Sequence, residues 1–428
     1  MTPKQSTNEL ASPQRSIRKR HKSRVVIVLA ALGPGLVAAM AGNDAGGIST
    51  YSTIGAKFGY GMLWIIPIMM LMLAVVQEAA ARMGAVTGKG LASNIREVFG
   101  VRPTAVAMLA ELIESGSSTL SEFAGIAAGM ELFGVSKYVA VPVAGFAIWL
   151  LVMSGSYKRA EKIFLAISCV FVTYIVAAFL AQPDWQQVGF ALVIPHVEQD
   201  PVFISLVIAT IGTTIAPWMI FLTQNNVVDK GVTHEELGTE RIDAIGGAIA
   251  GCAVAGFIIV ATGTVLFPAG VEVDSAAAAA SALEPIAGHY ATVLFGVGLI
   301  AASFLAACVV PLVASSAVCE AFGWERGVDR TWREAPVFKG IYTFMIVLSV
   351  VVALIPNISL IGIMLVSQFV SGIMLRVLLV FMVRILSNKR IMGKYTNRKV
   401  FTVLMWILIV VVFSLTATYF VFQILGIS

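Results

Sequence analysis

Apolar residues run through this chain in long blocks parted by short polar segments; they do not recur at every second position. A helix needs about 20 mostly apolar residues to cross a bilayer. Eleven stretches qualify, approximately 25–56, 60–82, 103–133, 138–156, 160–181, 202–229, 243–267, 290–321, 340–355, 358–386 and 400–425. The pattern predicts an all-α polytopic membrane protein with eleven transmembrane helices.

An odd number of spans puts the two termini on opposite sides. Taken from the N-terminus, the alternate segments 1–24, 82–102, 158–162, 230–241, 326–339 and 384–399 hold 26 of the 29 Lys and Arg. The other connections hold Lys57 and Lys137, and Arg376 falls inside a span. Basic loops stay cytoplasmic, so the N-terminus is expected inside, the C-terminus outside, and the protein in the cell (plasma) membrane with the bilayer as its partner.

Composition agrees and closes other routes. Hydrophobic residues make up 58% of the chain and charged ones 12%, against roughly 25% charged in soluble domains; the mean hydropathy is +0.90. Soluble, disordered, collagenous and disulfide-scaffold classes fail on these values. The net charge of +5 follows from the loop bias, so no nucleic-acid partner is implied. The cysteines (169, 252, 308 and 319) sit in apolar stretches, away from any disulfide framework. Residues 1–24 read as a disordered cytosolic tail without a signal-peptide pattern. With no nucleophile motif, zinc-ligand spacing or nucleotide loop, neither an enzyme nor a cofactor is expected; Gly33-Pro34-Gly35 lacks the Lys-Ser/Thr of a phosphate loop. Nor is an obligate protein partner evident.

Two spans are interrupted. The first contains Ala41-Gly42-Asn43-Asp44-Ala45-Gly46-Gly47 near its middle, and the sixth Gly212-Thr213-Thr214-Ile215-Ala216-Pro217. Gly clusters and Pro break helices through lost propensity and a lost donor, and broken helices at membrane depth line cavities or are buried in protein. A shift of five spans relates the breaks, which points to an inverted repeat of five plus five helices: 25–181 and 202–386, with 400–425 as an additional C-terminal helix.

Asp44 is the most informative residue. An ionisable side chain at bilayer depth marks an ion or substrate path, although Asp also caps helices well. A carboxylate with freed backbone carbonyls is an oxygen-rich site for a hard cation, and the four histidines (21, 196, 234 and 289) lie in tails, loops or a span end. In span three, Glu111, Ser115, Ser118 and Glu122 fall at about 0°, 40°, −20° and 20° around the helix, with Glu114 at about −60°. This stripe is either the wall of an aqueous vestibule or a set of glutamates bonded to hydroxyls in the bundle. Glu78, beside Gln77, reads as structural. Ser367 and Gln368 open span ten, where an amide either completes a coordination shell or bonds a neighbouring helix. Arg376 is expected to pair with a buried carboxylate. The run Ala276–Ala280 forms at most a short amphipathic helix.

Gly33-Pro34-Gly35 leading to Asp44-Ala45-Gly46-Gly47 resembles the Nramp family of divalent metal transporters, whose matching segment carries Asp-Pro-Gly-Asn. The likeness continues through Thr87-Gly88-Lys89, Glu122, Ala216-Pro217, Gly298-Leu299, Ser367-Gln368, Met392-Gly393 and Asn397. It implies a LeuT-like inverted-repeat fold with the ion between helices one and six. Carried over by position, the ligands are the Asp44 carboxylate, the Ala41 and Thr213 carbonyls, and Gln368, with Asn43 on the path. The departures are specific. The family's ligand Asn is Gly47, its Met is Ala216, the His after its Pro is Trp218, and its proton-transferring Asp in span three is Thr119. Together they resemble the Nramp-related magnesium transporters, which move Mg²⁺ and Mn²⁺ without protons. Gly and Ala are expected to widen the pocket for a partly hydrated ion. The resemblance therefore implies uniport of Mg²⁺ and Mn²⁺. Alternatives are a proton-coupled Mn²⁺/Fe²⁺ symporter and an amine transporter, which would want an aromatic cage. An intramembrane enzyme would need a second catalytic group, and a metal sensor a soluble effector domain.

Overall fold

The computed structural model describes residues 42–154, 173–233, 236–283 and 288–426. The basic tail, the first half of span one with Gly33-Pro34-Gly35 and Ala41, and residues 155–172 of the span-five region lie outside the described residues. The regular elements are helical throughout: α1 (Ala45–Phe58), α2 (Ile65–Thr87), α3 (Leu91–Phe99), α4 (Val101–Glu131), α5 (Lys137–Met153), α6 (Thr173–Leu180), α7 (Trp185–Val193), α8 (Pro201–Thr214), α9 (Pro217–Asp229), α10 (Leu237–Val265), α11 (Ala276–Ser281), α12 (Ala291–Phe322), α13 (Pro336–Ala353), α14 (Leu360–Leu386), α15 (Lys389–Met392) and α16 (Lys399–Leu425).

Seven segments of the described chain are long and apolar enough to cross a membrane: α2, α8 with α9, α10, α12, α13, α14 and α16. The difference from eleven has local reasons. At 31 residues α4 has the length, but Glu111, Glu114, Glu122 and the serines among them interrupt its apolarity. α5 is 17 residues long, and α1 and α6 adjoin segments outside the described residues. Boundaries shift too. α2 runs on to Thr87 and α10 starts at Leu237, beyond the apolar blocks, because polar end turns such as that of Arg82 continue a helix whose apolar content has stopped. Gly88 ends α2 with a left-handed φ of 63°, donating its N–H to the Gly84 carbonyl, the usual role of glycine after a helix.

α4 lies at the centre, against α14, α12, α13 and α5; α10 packs on α2 and α1, and α8 on α14. The α8–α14 contact is backbone on backbone. A Cβ on Gly212 would sit 2.1 Å from the Gln368 carbonyl oxygen, and one on Gly372 2.4 Å from that of Ile208. Small residues permit such approach inside membranes, where helices associate by van der Waals contact. Burial grades outward. In the most apolar 18-residue stretch of each, 94% of the α8–α9 span is buried and only 28% of α16. Val139, Val143 and Phe146 of α5, Phe344 and Val351 of α13, and Val403, Val410 and Phe413 of α16 are exposed. Apolar faces this extensive require hydrocarbon around them: the protein is integral to a membrane.

Candidate functional site

The sixth span is interrupted where its residue chemistry puts the break, though more narrowly than the sequence suggests. In the described part of the first span α1 starts at Ala45, so Gly46 and Gly47 are helical. α8 continues through Gly212 to Thr214, and only Ile215 and Ala216 separate it from α9. Pro217 has no N–H to offer the Thr213 carbonyl.

Asp44 is the N-cap of α1: its Oδ1 accepts from the Gly47 amide at 2.8 Å. Glu122 of α4 meets the same helix end, with Oε2 accepting from the Ala45 amide at 3.3 Å. Two carboxyls from distant parts of the chain thus serve the orphan amides at the start of one helix, Asp44 at the Gly47 amide and Glu122 at the Ala45 amide. Two buried carboxyls at one helix end concentrate negative charge there, which a cation would offset. Ser303 of α12 packs against α4 at Gly125.

Gly47 sits where the start of α1 approaches the end of α8. The point where its Cβ would stand is 2.9 Å from the Gly42 carbonyl oxygen, 3.0 Å from Thr213 Oγ1 and 3.5 Å from Asp44 Oδ1. Three oxygens of three kinds therefore surround the vacant β-position. Asp44, Thr213, Ala216 and Gln368 are all buried, as is Asn43. Among the described residues, the β-position of Gly47, where the family's Asn side chain would start, is lined closely by oxygen atoms. Gln368 closes another side. Its amide end rests on the first turn of α1, where a Cβ on Gly46 would be 1.7 Å from Nε2, and that Nε2 has no partner among the described residues.

The stripe of α4 is wholly buried. Ser115 Oγ lies 2.9 Å from Glu111 Oε1 and 3.2 Å from Glu114 Oε2, and Ser118 Oγ donates to Glu114 Oε1 at 3.0 Å. In this conformation Glu111 and Glu114 are bonded to hydroxyls inside the bundle, whereas Glu122 accepts from the Ala45 amide. Thr119 donates to the Ser115 carbonyl of its own helix at 2.6 Å. Trp218 is fully buried with its indole N–H unpartnered among the described residues. Glu78 bridges Arg82 and Arg241 at 3.1 and 2.8 Å, a structural use. Arg376 is a correction: it has no carboxylate partner among the described residues, and its guanidinium lies over the Phe413 ring at 5.6 Å, where stacking replaces the ion pair.

Residues beyond those read from sequence also meet here. Ser371 Oγ is 3.1 Å from both the Gly212 carbonyl and Glu114 Oε1. It replaces the partner that Gly212 loses where α8 ends, and ties the broken helix to α4. Its place three residues after Gln368, on the same face of α14, was the available signal. The Tyr51 hydroxyl lies 2.9 Å from Thr214 Oγ1, a second link between α1 and α8.

Compared with known families, residues 35–422 match the model of natural resistance-associated macrophage protein-like (Nramp) proteins. The chain belongs to the Nramp family. An Nramp-family relative from Klebsiella pneumoniae (strain 342), the divalent metal cation transporter MntH, is 30% identical over 414 residues, covering 94% of this chain and 96% of its own. The MntH of Yersinia pestis (strain Pestoides F) is 29% identical over 403 residues, 91% and 94% of the two chains. The crystal structure of the Eremococcus coleocola manganese transporter with an aromatic bis-isothiourea substituted compound superposes with a TM-score of 0.71 at 20% identity, covering 94% of this chain and 88% of that one. MhsT in complex with L-phenylalanine gives 0.60 at 15% identity, over 93% and 98%. These two likenesses carry the fold: an all-α membrane transporter architecture. The resemblance read from the sequence thus holds at the level of the Nramp family.

Proposed function

We propose that this Nramp-family protein is a uniporter that carries divalent metal cations, Mg²⁺ and Mn²⁺, across the plasma membrane without coupled protons. One observation carries the reading: the oxygens of Asp44, Thr213 and Gly42 converge on the β-position of Gly47, with no sulfur or imidazole at Ala216 or Trp218. An all-oxygen donor set suits hard cations and gives up discrimination by softness. The names of the relatives, divalent metal cation transporter and manganese transporter, support the substrate class. In the transport reading Asp44 is the charged ligand, the Thr213 and Ala41 carbonyls and the Gln368 amide oxygen add to it, and Asn43, Glu122, Glu111, Ser118, Thr119 and Trp218 flank the path. Flipping the Gln368 amide would turn its oxygen toward the site.

The architecture that goes with this reading is eleven spans, a five-plus-five inverted repeat over 25–181 and 202–386, an eleventh helix at 400–425 and a cytoplasmic N-terminus. At 100 mV, negative inside, a divalent ion gains about 4.6 kcal/mol on entry, twice the value for a unit charge, so import needs no second ion. A second reading, proton-coupled Mn²⁺/Fe²⁺ symport, is favoured by the placing of the buried Glu122 and Asp44 carboxyls at the same helix end. Proteoliposomes holding the purified protein test both. Uniport expects Mg²⁺ and Mn²⁺ uptake driven by an imposed membrane potential with no change in lumenal pH. Strict Mn²⁺ selectivity with Mg²⁺ inert in large excess would reject it.

A further inference from the structure

A cavity of about 440 Å³ opens between the C-terminal end of α2, the N-terminal end of α10 and the connection from α14 to α16, lined by Glu78, Arg82, Arg241, Lys394, Arg398 and Phe401 among others. It shares no lining residue with the Asp44 site, and its cations come from three of the basic segments, 82–102, 230–241 and 384–399. Four of its lining side chains are cationic and one is anionic. Glu78 is already committed, accepting from Arg82 and Arg241. The rest of the Arg82 guanidinium is held by the Tyr395 carbonyl at 2.6 Å and Asn397 Oδ1 at 2.8 Å. Arg82 is thereby a fixed, buried positive charge at the back wall. Arg241, Lys394 and Arg398 are exposed at the mouth; Lys394 leans over the Tyr395 ring at 5.2 Å, and neither it nor Arg398 has an ion pair among the described residues. Three positive charges are left over, which is the electrostatic signature of a site for a phosphoryl group.

The other wall is apolar. Ile245 and Phe401 line the cavity, and Ile242, Ile245 and Val400 beside it are exposed. α2, α10 and α16 are all long and apolar enough to cross the membrane, so these side chains mark where the helices leave the hydrocarbon. A soluble phosphate would gain nothing from that wall; an acyl chain descending from a bound headgroup would. We propose that this cavity binds the headgroup of an anionic phospholipid, with the phosphoryl oxygens between Arg241, Lys394 and Arg398 and the acyl chains along Ile245 and Phe401. Basic cavities at the cytoplasmic ends of membrane helices hold such headgroups. Bound there, the lipid would bridge α2 and α10 to the α14–α16 connection.

The test is native mass spectrometry of the full chain released from mild detergent with equal amounts of phosphatidylglycerol and phosphatidylcholine. The wild type is expected to retain phosphatidylglycerol preferentially. Each basic residue at an anionic surface contributes about 1 kcal/mol, about fivefold in affinity, so Lys394→Gln with Arg398→Gln should weaken phosphatidylglycerol retention about thirtyfold and leave phosphatidylcholine unchanged. Lys394→Arg with Arg398→Lys, which keeps the charges, should bind as the wild type does and guards against a folding defect in the first pair. Arg102→Gln with Arg330→Gln, two exposed cations elsewhere, should have no effect. Equal retention of the two lipids by the wild type, or an unchanged preference in the double Gln variant, would overturn the site. Displacement of the lipid by millimolar inorganic phosphate would overturn the lipid as its ligand.

Discussion

Asp44 has two jobs in this structure, and one pair of substitutions separates them. It caps α1 through the Gly47 amide, and it offers a carboxylate at the β-position of Gly47. Asn caps as well as Asp, whereas Ala loses about 1 kcal/mol at such a position. Glu122 already serves the Ala45 amide, so even Asp44→Ala leaves the helix end partly satisfied and should lower stability by no more than about 1 kcal/mol. The ionic term is much larger. A unit pair 4 Å apart is worth about 4 kcal/mol at an effective dielectric of 20, so a divalent ion gains about 8 kcal/mol before dehydration is counted. If a third of that survives, its loss is about 2.7 kcal/mol, or a hundredfold. Asp44→Asn is therefore expected to fold with wild-type thermal stability and to lose about two orders of magnitude in Mg²⁺ and Mn²⁺ uptake; Asp44→Ala should lose as much uptake and a little stability. Uptake into proteoliposomes under a fixed membrane potential, beside thermal melts of the same preparations, gives both numbers. Asp44→Asn transporting within a few-fold of wild type would refute the assignment of the charge, and uptake loss that tracks stability would reduce Asp44 to a cap.

Removing the Ser371 hydroxyl takes away the single donor shared by the buried Gly212 carbonyl and Glu114 Oε1. Ser371→Ala should therefore cost about 1–3 kcal/mol in thermal stability and slow uptake without altering the Mg²⁺ to Mn²⁺ ratio; a changed ratio would make Ser371 part of the ion site. Ala216→Met together with Gly47→Asn should shift competition assays toward Mn²⁺ by adding a soft donor. The Asn Cβ would stand 2.9 Å from the Gly42 oxygen, so about 1–3 kcal/mol of stability is expected to be lost to overpacking; a folded double variant with wild-type preference contradicts the donor argument. Uptake of Mg²⁺ should leave a lumenal pH dye unchanged, since Thr119 is bonded to its own backbone and Trp218 does not titrate. Metal-dependent acidification abolished by Glu122→Gln would instead establish symport.

Much of this protein is determined locally. The membrane class follows from the apolar blocks, because no arrangement of a chain with 12% charged residues could cover them with polar surface. The helix start at Asp44 and the interruption at Ala216-Pro217 follow from residues that cap or cannot continue a helix, and the stripe of α4 from the 3.6-residue repeat. What those residues touch was decided elsewhere. Glu122 meets the Ala45 amide across 77 positions of the chain, Ser371 reaches Glu114 across 257, and Arg82 finds Tyr395 across 313. Arg376 illustrates the limit: a buried-side cation in a sequence asks for a carboxylate, and the fold supplied the Phe413 ring because α16 packs beside α14. Gly47 is the same lesson at the site itself. A glycine in place of a ligand reads as added room, yet room is a property of what packs nearby, and packing brought the Gly42, Thr213 and Asp44 oxygens in around it. Helix breaks and periodicity are short-range consequences of backbone sterics and hydrogen bonding; the lining of a site depends on which helices meet, and that is settled only when the whole bundle has packed.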